Sequence, residues 1–421
     1  MGRDNRNLRP PSLAGAEWLV REETRAVLHA IERGGFAARV VGGAVRNALL
    51  GEPVKDIDIA TAAVPAEVVR LAGAAGLKAV PTGIEYGTVT VIARHTPFEV
   101  TTLRKDIETF GRHARVTFTT DWGEDARRRD FTMNALYCAA DGTLHDPLGG
   151  WADLARRRVR FIGDPHDRIR EDYLRILRFF RFTAEYAEGK PEPAGLKASI
   201  ELKGGLDQLS GERIRGELLR LLAAPRAVAT VEAMAAAQIL EHVIGAPGDV
   251  SLLARVASIE RALGRDTDPL LRLGALALTR PGSALALRDR LQLSNREFER
   301  LARLAIPDRA FDPAVPEQEA RAFLYRHGAE TFADAALLAW ARSADAPRDQ
   351  ARRVRTALPA RWQPPALPVR GADVVALGVP AGPAVGRVLA AVEDWWIGED
   401  FPNDPAALAA ALVRFAKDAN E

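Results

Sequence analysis

Hydrophobic and polar positions divide this chain into two regimes. Up to about residue 102, apolar positions come in short runs, and FAARVV, LKAVP, YGTVTVIA and PFEVTTL each read as a strand. YGTVTVIA is β-branched and alternates. Helical spacing interrupts these runs over 15–34, ending at Gly34-Gly35, over Ala44 to Leu50, stopped by Gly51, and from Pro65 to about Gly76. About four strands within seventy residues suffice for a small sheet. From Asp167 onward a helical period dominates: GERIRGELLRLL (211–222) is amphipathic, and Ser294 with Glu297 reads as a capping box. A Pro-rich stretch from Pro359 to Pro368 sets off a last helical unit, and no internal repeat is evident. The pattern predicts an α+β head with a small mixed sheet, followed by an all-α remainder.

Length and composition add bounds. A chain of 421 residues buries substantial cores in two or more domains. Its single cysteine, Cys138, excludes intramolecular disulfides and thiolate zinc clusters, which points to a reducing cytoplasm. No apolar run reaches spanning length, and MGRDNRNLRPPSLAG lacks the apolar core of a signal peptide, so residues 1–15 read as a disordered lead-in. The net charge of +2 hides an arginine bias: only seven of 58 basic residues are lysine. A GC-rich genome accounts for most of that bias. Local clustering says more, because nine arginines between Arg156 and Arg181 face four acids, a stretch suited to nucleotide or RNA phosphates.

Three constellations carry candidate chemistry. The first is VVGGAVRNALLGEPVKDIDIAT, where Gly42-Gly43 opens a short helix and Asp56 and Asp58 follow. Carboxylates at i and i+2 on a strand share a face and suit a hard cation such as Mg²⁺. The glycines admit an anion to a helix N-terminus. Together they are equipment for phosphoryl or nucleotidyl transfer, although an Asp-x-Asp alone is most often a solvated strand end. The second is ARRRDFTMNAL, in which Arg129 suits a triphosphate or ribose and Asp130 and Asn134 stand four apart, as on a helix.

The third is IREDYLRILRFFRF, which places Asp172, Arg175, Arg178 and Arg181 three apart in a drifting helical stripe. A carboxylate only accepts hydrogen bonds and a guanidinium only donates them. Cytosine and adenine offer an amino donor beside a ring-nitrogen acceptor, and guanine and uracil reverse that order. An Asp–Arg pair therefore takes C or A and leaves unpaired groups against G or U, a strong basis for rejection.

In this order, GGAVRNALLG, DIDIAT, GIEYGTVTV, RRDFTMNAL, HDPLGG and REDYLRILRFFRF resemble the class II tRNA nucleotidyltransferases and bacterial poly(A) polymerases, over roughly residues 38–222. The resemblance implies a polymerase-β-like head (16–165), a helical neck (166–245), and a body and tail (246–421) that hold the tRNA acceptor arm. Carried over, Gly43, Arg46 and Arg129 would bind nucleotide and Asp56 and Asp58 would hold Mg²⁺. Asp172 and Arg175 would template the base, with Arg178 and Arg181 completing the pocket. Glu99 would be either a third carboxylate or an ordinary strand residue. Asn47 stands where many relatives carry Asp, and Tyr86 where many carry His.

Within that family the loop from Leu103 to Phe118, with its Gly111-Arg112-His113 turn, is full length, as expected of an enzyme that switches from CTP to ATP. GIEYGTVTVIA lacks the basic element of the poly(A) polymerases. Addition of C, C and A to the tRNA 3′ end therefore leads, ahead of A-only addition, poly(A) synthesis and a non-catalytic RNA-binding role. His145-Asp146 and His166-Asp167 read as structural rather than as a metal phosphohydrolase site. Gly378, Gly382 and Gly386 would admit an RNA phosphate or simply join two helices, and Trp395-Trp396 reads as core.

Overall fold

The computed structural model describes residues 10–110, 113–305, 311–312, 314–343 and 348–419. The chain forms two compact units that divide at Pro247/Gly248. Among the described residues, the first carries all the strands. It opens with α1 (Glu17–Val20) and α2 (Glu22–Glu32), which the sequence pattern merges into one helix. Arg21 separates them with an extended backbone (ψ 141°). Residues 1–9 of the expected lead-in lie outside the described residues, whereas Leu13 is buried and its amide donates to the Gly142 carbonyl at 3.0 Å.

β1 (Ala38–Val41) runs into α3 (Gly43–Leu50) through Gly42, whose φ of 73° and ψ of −122° suit glycine alone. Gly51 closes α3 in the left-handed conformation. β2 (Asp58–Thr61) follows, then α4 (Pro65–Ala74), with proline in its first turn as predicted. β3 (Lys78–Gly83), β4 (Thr88–Ala93) and β5 (Thr96–Thr102) match the three predicted runs.

The segment 103–118, expected as a loop, contains β6 (Arg104–Phe110) and β7 (His113–Phe118), a hairpin apart from the main sheet. The predicted turn residues Gly111 and Arg112 lie outside the described residues. After α5 (Trp122–Arg127), β8 (Tyr137–Ala139) and β9 (Leu144–His145) extend the sheet to seven strands, ordered β3-β4-β5-β2-β1-β8-β9. The β2–β5 pair is parallel and the rest are antiparallel, so the sheet is mixed.

Helices complete this unit. α6 (Gly150–Ala155) and α7 (Pro165–Glu171) precede α8 (Leu174–Tyr186), and α9 (Pro193–Glu201) and α10 (Gly211–Ala223) follow. α8 sends Phe179 and Phe182 into a cluster with Phe131 and Phe161, with ring centroids 4.9–6.4 Å apart. All four rings are buried, each worth about 1.5–3 kcal/mol of transfer from water. That cluster fixes α8 against the segment that carries Arg129 and Asp130.

Among the described residues every element of the second unit is a helix. Its longest helix, Glu317–Arg342, is broken at Gly328 (φ 76°), and its second half packs Leu337 and Trp340 against Leu252, Val256 and Leu271. The capping box at Ser294 forms as predicted, with Ser294 Oγ accepting from the Glu297 amide and Glu297 Oε2 from the Ser294 amide. The predicted helix pair meets at a Gly/Pro turn between Gly371–Ala376 and Pro383–Gly398, and Trp396 is buried. No helix among the described residues is long and apolar enough to cross a membrane.

Candidate active site

Two carboxylates project from the start of β2. Asp56 precedes the strand, yet the alternation holds: Asp56 and Asp58 are exposed, while Ile57 and Ile59 are buried. The parallel register sets Asp58 beside Glu99 of β5, also exposed. Crowding by protein raises the Asp58 carboxyl above its ordinary value, and the Glu99 carboxylate adds to the rise. Arg129 opposes them, and Asp56 pushes upward again. Such mutually repelling oxygens suit a hard divalent cation. Among the described residues no three His, Cys, Asp or Glu side chains form a ready metal cage. Mg²⁺ needs none, since one or two carboxylates plus substrate phosphates ordinarily hold it.

Gly42 and Gly43 line one cavity with Asp58. An added Cβ would stand 3.7 Å from Arg129 Nη1 at Gly42 and 3.7 Å from Arg46 Nη2 at Gly43, so two guanidinium tips flank the glycine pair. Arg46 is buried: it donates to Asn134 Oδ1 (2.6 Å), to Asn47 Oδ1 (2.9 Å) and to the Tyr186 hydroxyl (2.8 Å), and it stacks 4.2 Å from the Tyr186 ring. Arg129 donates to Asp125 Oδ2 at 3.1 Å, and Asp125, 1% exposed, also pairs with Arg128. Burial alone would raise the Asp125 carboxyl, but Arg129 and Arg128 outweigh it and hold it low.

Asp130 and Asn134 are joined as their spacing suggests, Asn134 Nδ2 donating to Asp130 Oδ1 at 2.9 Å. Asn134 ends a short 3₁₀ turn (Thr132–Asn134) and Asp130 stands in the bend before it, so the two do not share the predicted α-helix. Asp130 also accepts from Arg178 Nη2 at 2.5 Å, which ties this segment to α8. Burial would raise its carboxyl, and Arg178 and Asn134 hold it below the usual range.

The Asp172–Arg175 pair expected from the sequence does not form. Asp172 lies in extended backbone (φ −156°) between α7 and α8, so the helical stripe holds only for Arg175, Arg178 and Arg181. Its Oδ2 accepts from Arg213 Nη2 at 2.6 Å, and its Oδ1 from the Leu174 amide at 3.1 Å. Arg175 instead pairs with Glu171 and donates to the Arg168 carbonyl at 2.7 Å. The two side chains nevertheless line one cavity, of about 470 Å³. Gly43, Arg46, Asp58, Arg129 and Arg178 line it too. Asp56 lines an adjoining cavity of about 520 Å³. Arg181 lines neither: it is buried and held by Glu217 (2.5 Å) and Glu185 (2.9 Å).

Sequence reasoning missed Arg213, Glu217 and Asp125. Arg213 and Glu217 are the polar positions, four apart, that α10 turns toward α8. The dipeptides His145-Asp146 and His166-Asp167 have structural partners. Asp146 accepts from the Gly150 and Trp151 amides, and His166 bonds Glu201.

Residues 38–160 match the model of the poly A polymerase head domain, and residues 190–248 match the probable RNA and SrmB-binding site of polymerase A. Head and cavity together define a nucleotidyltransferase. The mitochondrial CCA tRNA nucleotidyltransferase 1 of Danio rerio is 35% identical over 385 residues, covering 86% of this chain and 83% of that protein. The CCA-adding enzyme of Limosilactobacillus fermentum is 32% identical over 401 residues, covering 94% and 97%. The CCA-adding enzyme of Bacillus stearothermophilus, solved with CTP, superposes with a TM-score of 0.75 at 28% identity, covering 95% and 98%. The chain belongs to the CCA tRNA nucleotidyltransferase family.

Proposed function

We propose that this protein adds C, C and A to the 3′ ends of tRNA from CTP and ATP, in the cytoplasm and without a nucleic-acid template. One observation carries the reading: Asp58, Asp172 and Arg175 line a single cavity. Transfer chemistry and a base-sized donor–acceptor edge thus share one ligand.

Asp56 and Asp58 would hold Mg²⁺, with Glu99 beside Asp58. The bound cation would activate the primer 3′-hydroxyl and offset charge on the phosphates. Gly43, at the N-terminus of α3, offers a backbone amide to phosphate, and Arg46 and Arg129 add fixed positive charge. Asp172 keeps lone pairs beyond those used by Arg213 and Leu174, and these accept the amino group of cytosine or adenine. Arg175 spends its Nη1 on Glu171 and Arg168, and its other donors meet the ring nitrogen. Arg178 completes the pocket, and Arg181 supports it through Glu217. No Ser or His nucleophile is needed. Residues 16–165 serve as the catalytic head, 166–245 as the neck, and 246–421 as the tRNA-holding body and tail.

The test is incorporation of labelled CTP into tRNA by the Asp58→Ala variant. It should fall by several orders of magnitude while folding is kept, and full retention would sink the assignment.

A further inference from the structure

Five arginines line the cavity that holds Asp58 and Asp172, and four of them have carboxylate partners. Arg129 pairs with Asp125, Arg175 with Glu171, Arg178 with Asp130 and Arg213 with Asp172. Arg46 differs: among the described residues, every group that accepts a hydrogen bond from its guanidinium is neutral. We propose that Asn47 is a positioning residue that fixes Arg46 without neutralising it, so that the polyphosphate of a bound nucleotide becomes its counter-ion. The proposal rests on the nucleotidyl-transfer reading of the cavity.

The Asn47 amide suits this task because it has two faces. Its Oδ1 accepts from Arg46 Nε at 3.1 Å and from Nη2 at 2.9 Å, and its Nδ2 donates to the Pro53 carbonyl at 3.0 Å. The Asn47 backbone carbonyl also takes the Glu52 amide at 2.8 Å. One residue thus ties Arg46 to the turn that leads from α3 toward Asp56. An aspartate would accept from Arg46 but has no donor for Pro53. Asn134 Oδ1 and the Tyr186 hydroxyl take two further N–H groups of Arg46. A guanidinium has five, so one on Nη1 is left for a ligand.

Burial makes the missing carboxylate matter. Arg46 is 7% exposed, and a buried cation with no opposite charge bound to it keeps a strong attraction for an anion. Burial lowers the Arg46 pKa, and Tyr186 and Glu185 oppose it only in part. The Glu185 carboxylate is itself committed to Arg181 at 2.9 Å. Burial acts downward on Arg129 and Arg178 as well, but Asp125 and Asp130 outweigh it and raise both. The free positive charge therefore stands at Arg46, beside the N-terminus of α3, where the helix dipole attracts the same phosphates.

Two variants separate charge from orientation. Asn47→Asp and Asn47→Ala both lose the donor to Pro53, but only Asp keeps an acceptor for Arg46 and adds a negative charge. Asn47 is partly exposed on α3, and circular dichroism checks that both variants fold. The full-length proteins are titrated calorimetrically with CTP and with inorganic tripolyphosphate, each with Mg²⁺. Neutralisation of Arg46 should make Asn47→Asp weaken both ligands about tenfold, whereas Asn47→Ala, which removes one ordinary hydrogen-bond partner, should weaken them about threefold. In nucleotide incorporation by Asn47→Asp, the KM for CTP should rise by a larger factor than kcat falls. Ala as damaging as Asp, or more so, would show that Asn47 only orients Arg46 and would overturn the proposal. Equal affinities in all three proteins, or a wild-type protein that binds neither ligand, would overturn it too. If wild-type protein binds both ligands yet incorporates neither CTP nor ATP, the proposed function fails, while the order of the two variants still decides the role of Asn47.

Discussion

Asp172 Oδ2 and Arg213 Nη2 lie 2.6 Å apart across 41 residues of sequence, so the carboxylate proposed to read the base is oriented from α10 and not by Arg175. Both side chains are largely shielded, which makes the bond worth more than a surface ion pair.

Arg213→Ala therefore leaves Asp172 free to rotate while Arg175 keeps Glu171. A hydrogen bond to a charged group contributes about 1.5–3 kcal/mol, so the preference for CTP over UTP should fall by about tenfold to a hundredfold. The ratio of kcat/KM for the two nucleotides measures it. A variant with weaker turnover but unchanged selectivity would contradict this role for Arg213.

Asp125 is a structural counterpart. Removing it by Asp125→Ala leaves Arg128 and Arg129 without their buried partner, and loss of one member of such a pair costs about 3–5 kcal/mol. Urea unfolding checks the magnitude. The nucleotide KM should rise as well, because Arg129 loses the group that points it at Gly42.

The same carboxylates set a pH dependence. Asp125 and Asp130 have folded-state values below their ordinary ones, so the unfolded chain binds protons more readily than the fold does. Their contribution is fully present above the unfolded carboxylate value near 4 and is lost as pH falls through the lower folded values. Unfolding free energy measured between pH 6 and pH 3 should drop less in Asp130→Asn than in wild type. Equal slopes would show that Asp130 is not a source of the acid sensitivity.

Gly205 gives a prediction that combines packing and selectivity. A Cβ there would lie 2.0 Å from Cδ1 of Tyr173, the residue between Asp172 and the start of α8. Gly205→Ala must displace that ring, at about 1–3 kcal/mol of overpacking strain, and move Asp172 with it. The expected result is a lower Tm and a raised CTP KM, both partly restored by adding Tyr173→Leu. A normal KM with only Tm lowered would confine Gly205 to stability.

Much of this architecture was legible in the residues, and particular failures have physical causes. Alternation in YGTVTVIA, the proline opening α4 and the glycine closing α3 are local signals, and each element formed where its signal stood. β8 and β9 were missed because three- and two-residue strands carry no readable period. The hairpin β6–β7 read as a loop because RKDIETF is mostly polar. At the site, the residue types of Asp58, Arg129, Asp172 and Arg175 are visible in the sequence, and the four side chains line one cavity. Their partners were not visible, because Arg213 reaches Asp172 only once α10 packs on α8. A donor–acceptor argument in sequence names which groups must be satisfied, and packing chooses the neighbour that satisfies them.

The measurement that bears most directly on the central claim is sequencing of the 3′ ends formed when wild-type protein is given tRNA that lacks CCA, with CTP and ATP separately and together. Addition of C residues with CTP alone, none with ATP alone, and completed CCA ends with both is the expected result. Incorporation of A only, and only onto tRNA already ending in CC, or growth of long A tails, would contradict it.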